Sequence, residues 1–470
     1  MAFTKSLVSF VLFSLFVSAF SLSTETRSQE SLREARQCRI DRIPTSRPAR
    51  RIQSEGGHTE IWDEYEDQFL CAGVAAIRNT IHPNSLSLPN FEPAPRLVYI
   101  QKGRGIISIV FPGCTESFQS QGYIRTRVGG EGQQQQGIKD RHQKVQTIKQ
   151  GDAIAIPAGA AHWCYNDGSE DLIAFSITDV TNDANQIEQS LKSFYLAGGQ
   201  PRRGQEEGQQ EQEQEQEQER QNSVNVINEL NAEQLAEAFA VPIELIRSLQ
   251  KPDERGWIVR VEKESLGVIR PDEEEEERER YSERSNGYEE RECNARIRQN
   301  IDNPRRADIY SRQAGHIQIV NRQTLPILSI LDMSIEKGHL HPNALYAPHW
   351  TINAHTIVLI TRGEGNIQVI GTNGRKVMDD RVHEGDVFVI PQYFTAMSKA
   401  GNEGLEWVAI KTSDLPMKSP ILGHASAIKG IPIEVLKNAY KITTQEARDI
   451  KLNRKDQYML LPPRSTSSRP

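Results

Sequence analysis

The side chains best suited to chemistry in this 470-residue sequence are one of its 11 histidines, His162, and its five cysteines. His162 lies near the end of the run Gly151 to Asn166, GDAIAIPAGAAHWCYN, and imidazole is the group that most readily ligates a transition metal or moves a proton near neutrality. The cysteines, Cys38, Cys71, Cys114, Cys164 and Cys293, form neither a CxxC pair nor a Cys/His zinc spacing. Their odd number leaves at least one thiol free. There is no G-x-S-x-G elbow, no P-loop and no HExxH, so the usual sequence signs of serine hydrolases, nucleotide hydrolases and zinc proteases are missing.

Strands must position His162. Gly151-Asp152 supplies a turn, Ala153 to Ile156 a short buried run, and Pro157-Ala158-Gly159 ends the ladder, because Pro cannot donate and Gly accepts unusual dihedrals. The pattern predicts a strand, a tight turn and a second strand, with His162 facing the interior of a barrel. Cys164 alternates inward on the same strand and is the expected free thiol. That leaves Cys38, Cys71, Cys114 and Cys293 for two bridges, with the pairing open.

The phrase recurs as Gly385-Asp386-Val387-Phe388-Val389-Ile390-Pro391, and other phrases recur with it. His82-Pro83-Asn84 is echoed by His341-Pro342-Asn343, and Tyr99 to Gly105 by Leu359 to Gly365, at offsets of 259 and 260 residues. The Gly-Asp phrase is offset by 234, and Val241-Pro242-Ile243-Glu244 from Ile431-Pro432-Ile433-Glu434 by 190. A shrinking offset places the insertions in the first copy, where the glutamine-rich stretches around Gln133 to Gln136 and Gln200 to Gln221 lie. Short alternating runs over residues 72 to 180 and 315 to 413 predict antiparallel barrels. Helical spacing over 232 to 250 and from 427 to about 443 predicts a small helical extension after each, with apolar faces that call for a neighbouring subunit. Gln205 to Gln221 and Asp272 to Arg284 are too polar to offset their ordering entropy and are expected to be disordered.

Residues 1–21, with Lys5 ahead of an apolar run from Leu7 to Phe20, read as a secretory signal peptide, which implies passage through an oxidising compartment. No later segment is apolar enough to span a membrane. Residues 287–470 carry 24 Lys and Arg against 19 Asp and Glu, residues 1–286 carry 32 against 44, and the whole chain has a net charge of −7. No basic cluster interleaves with aromatics, which argues against nucleic acid as a partner.

The stretch from Gly151 to Asn166 resembles the second signature of the cupin family: Gly, five residues, Pro-x-Gly, two residues, His, three residues, Asn. The resemblance implies an all-β-dominated fold of two tandem jelly-roll barrels. Cupin enzymes bind a metal through two His and a Glu of a first signature and the His of the second. Counting back from Gly103, those positions hold Pro89, Phe91 and Arg96; only His162 remains. In the second copy they hold His349, Thr351, Thr356 and Ala396; only His349 remains. One imidazole per barrel cannot complete a transition-metal shell, so no metal or other cofactor and no catalytic residue is expected. His339-Leu340-His341 has the H-x-H form but stands too far before Gly363, and reads as turn or strand-edge histidines.

Ser285 to Cys293, SNGYEEREC, stands at the divide between the acidic and basic halves. An Asn-Gly pair commonly marks a simple turn, but this phrase resembles the processing site of legumin-type 11S globulins, the bicupin seed storage proteins. The resemblance runs from the signal peptide to the C-terminal arm. It implies cleavage between Asn286 and Gly287 by an asparaginyl endopeptidase, disulfides Cys38–Cys71 and Cys114–Cys293, a homotrimer that becomes a hexamer after cleavage, and delivery to the seed's protein storage vacuole. The domains expected are an acidic chain of barrel plus helices at 38–250, a disordered acidic linker at 251–286, and a basic chain of barrel plus helices at 287–470. A nutrient reservoir is the leading function; a metal-dependent bicupin oxidase or decarboxylase and a small-molecule carrier are the alternatives.

Overall fold

The computed structural model describes residues 38, 40–116, 118–120, 140–199, 225–251, 253–261, 293, 295–303, 306–454 and 457–463. The expected signal peptide, the 205–221 tract, the 272–284 block and the Asn286-Gly287 bond lie outside them. The first half supplies β1 (Arg50–Ser54), β2 (Gly57–Ile61), α1 (Asp67–Ala72), β3 (Val74–Ile81), β4 (Ser85–Phe91), β5 (Arg96–Lys102), β6 (Arg104–Val110), β7 (Phe118–Ser120), β8 (Asp140–His142), β9 (Val145–Lys149), β10 (Asp152–Ile156), β11 (Ala161–Asn166), β12 (Leu172–Asp179), β13 (Phe194–Tyr195), the helices α2 (Ala232–Phe239) and α3 (Ile243–Leu249), and β14 (Ile258–Arg260). The second supplies β15 (Arg298–Asn300), β16 (Ile309–Ser311), β17 (Gly315–Val320), α4 (Leu328–Leu331), β18 (Ser334–Leu340), β19 (Leu345–Thr351), β20 (Thr356–Ile370), β21 (Lys376–His383), β22 (Val387–Ile390), β23 (Thr395–Lys411), β24 (Lys418–Pro420), the helices α5 (Ala427–Gly430), α6 (Ile433–Tyr440) and α7 (Thr444–Leu452), and β25 (Leu460–Leu461).

Each half curls into a jelly-roll barrel. The first is built from sheets ordered β1-β2-β3-β12-β5-β10-β15 and β13-β4-β11-β6-β9; in the second, a path β16-β17-β18-β23-β19-β24 is closed by β20, β21, β22 and β25. The repeated phrases are the matching corners. Gly103 and Gly363 turn with φ of 84° and 76°, and a Cβ at either would lie 2.5 or 2.4 Å from the carbonyl oxygen of Asp171 or Gly404, so only glycine fits.

Alternation along β20 shows how the cores divide. Ile357 and Leu359 join an apolar cluster that continues through Leu97, Ile154 and Phe175 of the first half. Val358 and Ile360 point the other way, into the interior of the second barrel with Phe388 and Trp407. The two barrels therefore share one core across their contact.

They also exchange arms. β15, from the second half, pairs antiparallel with β10 of the first, and its neighbours Ile297 and Ile301 are buried in the shared core. Conversely, Ser46 bridges Val387, the Ile43 amide donates to the Val377 carbonyl at 2.9 Å, and Ile40 and Ile43 are buried in the second barrel's core. The same Gly-Asp corner receives each arm: Asn300 donates to Asp152 at 2.9 Å, and Arg47 pairs with Asp386 at 2.7 Å.

One expectation needs correction. The linker at 251–286 is not disordered from its start, because Trp257, Ile258 and Val259 are buried, β14 pairs with β4, and Trp257 stacks on Tyr195 with ring centroids 3.7 Å apart. Three apolar residues bring the chain back from the helices to the barrel before the charge block begins. On the helical extensions, Phe239, Leu245 and Leu249 in the first half and Val435, Tyr440, Ile450 and Leu452 in the second are exposed.

Candidate functional site

In the first barrel, His162 on β11 is buried opposite Asn90 on β4, with Nδ1 3.2 Å from the Ala160 carbonyl oxygen. The carboxylate position of the metal signature is filled by Arg96 on β5. It stands opposite Thr178 on β12, donates from Nε to the Thr178 hydroxyl at 3.1 Å, and forms a buried ion pair with Glu92. Ser193 also donates to Glu92, at 2.8 Å. Burial and then the Arg96 charge push the His162 imidazole down to about 4, so it is neutral at physiological pH. Burial raises Glu92, against the pull of Arg96.

The second barrel repeats this with the partners reversed. His349 on β19 is buried opposite Ala396 on β23, its Nδ1 2.8 Å from the Ala347 carbonyl oxygen. Thr356 now holds the carboxylate position, and the cation comes from the facing strand: Lys411 on β23 donates to the Thr356 hydroxyl at 3.0 Å. Glu336 on β18 pairs closely with Lys418 and lies 3.9 Å from Lys411. Burial alone would raise Glu336, but Lys418 and Lys411 outweigh it and bring it down to about 2. Burial, then Lys418, takes His349 down to about 3.

These residues do not fit a metal. At the signature positions each barrel keeps one neutral imidazole, taken from a different signature in the two copies, and the carboxylate position holds Arg96 in the first and Thr356, hydrogen-bonded by Lys411, in the second. Among the described residues no group of three or more His, Cys, Asp or Glu is placed to hold an ion. His339 lies near the end of β18 and His341 just past it, where His316 stacks on His339 at 5.3 Å and Glu406 meets His339 Nδ1 at 3.2 Å. Sequence reasoning located Arg96 and Thr356 but missed Glu92, Glu336, Lys411 and Lys418. The only available signal was a polar residue breaking the apolar alternation of an inner strand.

The cysteines divide into Cys38 joined to Cys71, Cys114 joined to Cys293, and a free Cys164. The first bridge ties the exchanged N-terminal arm to α1. The second ties residue 293, at the start of the other arm, to the first barrel just beyond β6. Burial, then the Asp167 charge, raises the Cys164 thiol to about 12, so it stays protonated at physiological pH.

A cupin family model matches residues 45–202 and 299–448, once per barrel. The chain is 48% identical to 11S globulin seed storage protein 2 of Sesamum indicum over 454 residues, covering 96% of each. The crystal structure of the coconut allergen cocosin superposes with a TM-score of 0.78 at 40% identity, covering 91% of this chain and all of that one. The recombinant pro-11S globulin of pumpkin gives 0.78 at 35%, with the same coverage. The chain belongs to the 11S globulins. As an 11S globulin of legumin type it is a seed storage protein, a nutrient reservoir rather than an enzyme. No described helix is long and apolar enough to cross a membrane.

Proposed function

We propose that this globulin enters the secretory pathway, is deposited in the seed's protein storage vacuole, and is cut there between Asn286 and Gly287 by an asparaginyl endopeptidase into an acidic and a basic chain. The observation that carries the reading is the Cys114–Cys293 bridge. It spans the interval that holds the Asn-Gly bond, so a cut there leaves the chains covalently joined, and no described core contact is lost. The exposed apolar residues of α2, α3, α6 and α7 support self-association, for which the proposed states are a homotrimer before cleavage and a hexamer after it. Departure of the acidic tail would relieve repulsion between trimers. The mature protein should run near 50 kDa on a non-reducing gel and as bands near 30 and 20 kDa after reduction, at about 0.11 kDa per residue. An Asn286→Ala protein should give one chain in both lanes and remain a trimer. Two bands without reductant would refute the bridge, and a hexamer from the uncleaved variant would refute the switch.

A further inference from the structure

The two barrels differ by one buried charge. In the first, Arg96 faces Glu92 and the pair is neutral. In the second, one carboxylate, Glu336, meets two ammonium groups, Lys411 and Lys418, and the side chains of all three are at least nine-tenths buried. Lys418 is satisfied: it contacts Glu336 and donates to the Tyr346 hydroxyl at 2.7 Å. Lys411 is not matched in the same way. It has the Thr356 hydroxyl and a carboxylate 3.9 Å away that is already engaged, and Glu336 is the one group whose charge favours its protonated form.

Lys411 borders a cavity of about 40 Å³ inside the second barrel, whose lining also includes Thr351, Thr356, Ser398, Phe388 and Trp407. That volume holds two or three waters at roughly 15 Å³ each. It falls far short of the ~300 Å³ at which organic-ligand pockets begin. We propose that this cavity binds one small monovalent anion, of the size of chloride or formate, against the Lys411 ammonium. A second buried ammonium that must share one carboxylate with Lys418 is under-compensated and costs several kcal/mol, and an anion beside Nζ offsets that cost. The charged and titratable groups around Lys411 are Glu336 from β18, Tyr346 and His349 from β19, and Lys418 from β24. Only Glu336 is anionic; its Oε2 pairs closely with Lys418 and lies 3.9 Å from Lys411, and its Oε1 accepts from the Tyr346 hydroxyl. Burial lowers Lys411 to about 7, so the ammonium form needed for binding predominates below neutrality.

Bromide supplies a test on the unmodified protein. Crystals of the full chain at pH 5.5, with sodium bromide replacing other salts, should show an anomalous peak inside the second barrel within hydrogen-bond distance of Lys411 Nζ, and none in the first barrel. Peaks confined to the molecular surface, meaning an adventitious ion only, would overturn the proposal, as would bromide-independent density in the cavity. In solution, sodium bromide should raise the unfolding midpoint of the protein above that in equal sodium gluconate, whose anion is too large for the cavity. Lys411→Met should abolish at least half of that difference. An equal bromide effect in the variant would place the stabilising ion elsewhere.

Discussion

The exchanged arms predict that the Cys114–Cys293 bridge is not what holds the two halves together. Consider the protein cut between residues 262 and 292 and then reduced without denaturant. Separation would expose Ile40 and Ile43, buried in the second barrel, and Ile297 and Ile301, buried against the first. At about 1.5–3 kcal/mol for each fully buried side chain, the four arm residues contribute roughly 6–12 kcal/mol. Association with a micromolar dissociation constant requires about 8 kcal/mol. The arms alone therefore approach the requirement, and the core shared by Leu97, Ile154, Leu359 and Val389 carries it well past. Light scattering after size exclusion should give the same mass with and without reductant. Release of free chains near 30 and 20 kDa, at about 0.11 kDa per residue, on reduction alone would refute the reasoning. A substitution sharpens it: Ile43 is fully buried, so Ile43→Ala should cost about 2–5 kcal/mol and destabilise the second barrel, although residue 43 belongs to the first half. A loss below about 1 kcal/mol would show that the arm contributes little.

Glu92→Gln leaves the buried Arg96 without its carboxylate and should cost about 3–5 kcal/mol in denaturant unfolding, whereas Glu92→Leu combined with Arg96→Met should cost far less; equal losses would mean the charges are not coupled. Acid should act in two stages. Between 6.5 and the folded values of about 4 for His162 and 3 for His349, the unfolded chain takes up protons that the folded chain refuses, so stability falls as pH drops below 6.5. Glu336 contributes fully above its unfolded value of 4.5, and that contribution is lost as pH falls from there toward 2. Unfolding free energies that stay level from pH 6.5 to 4.5 would contradict the histidine assignment. Finally, elemental analysis of the purified protein should find no stoichiometric iron, manganese or zinc, and about one ion per chain would overturn the reading of the barrels.

Much of the fold was legible because its causes are local. Period-two alternation marks the inner strands, and the Gly103/Gly363 corners admit no side chain, so the duplication could be read from recurring phrases alone. The non-ligand residues Arg96 and Thr356 at the carboxylate position were legible for the same reason, since they stand at fixed spacings from those glycines. Cys164 could be singled out as the free thiol by its place on an inner strand. Other features depend on pairing between distant segments, which leaves no periodic trace. Ile43 and Ile297 look like unremarkable residues of two polar arms, and Trp257 to Val259 like the edge of a charge block. Lys411 gains its meaning from Thr356, 55 residues away in sequence but one rung away across two strands. Sequence by itself determined the two barrels, the candidate bridge cysteines and the replacement of three of the four ligand positions in each, because turn sterics, alternation and ligand spacing act over a few residues. The exchange of arms, the shared core and the surplus buried charge were decided only when the second barrel packed against the first, because burial and charge pairing depend on what surrounds a side chain and not on what precedes it.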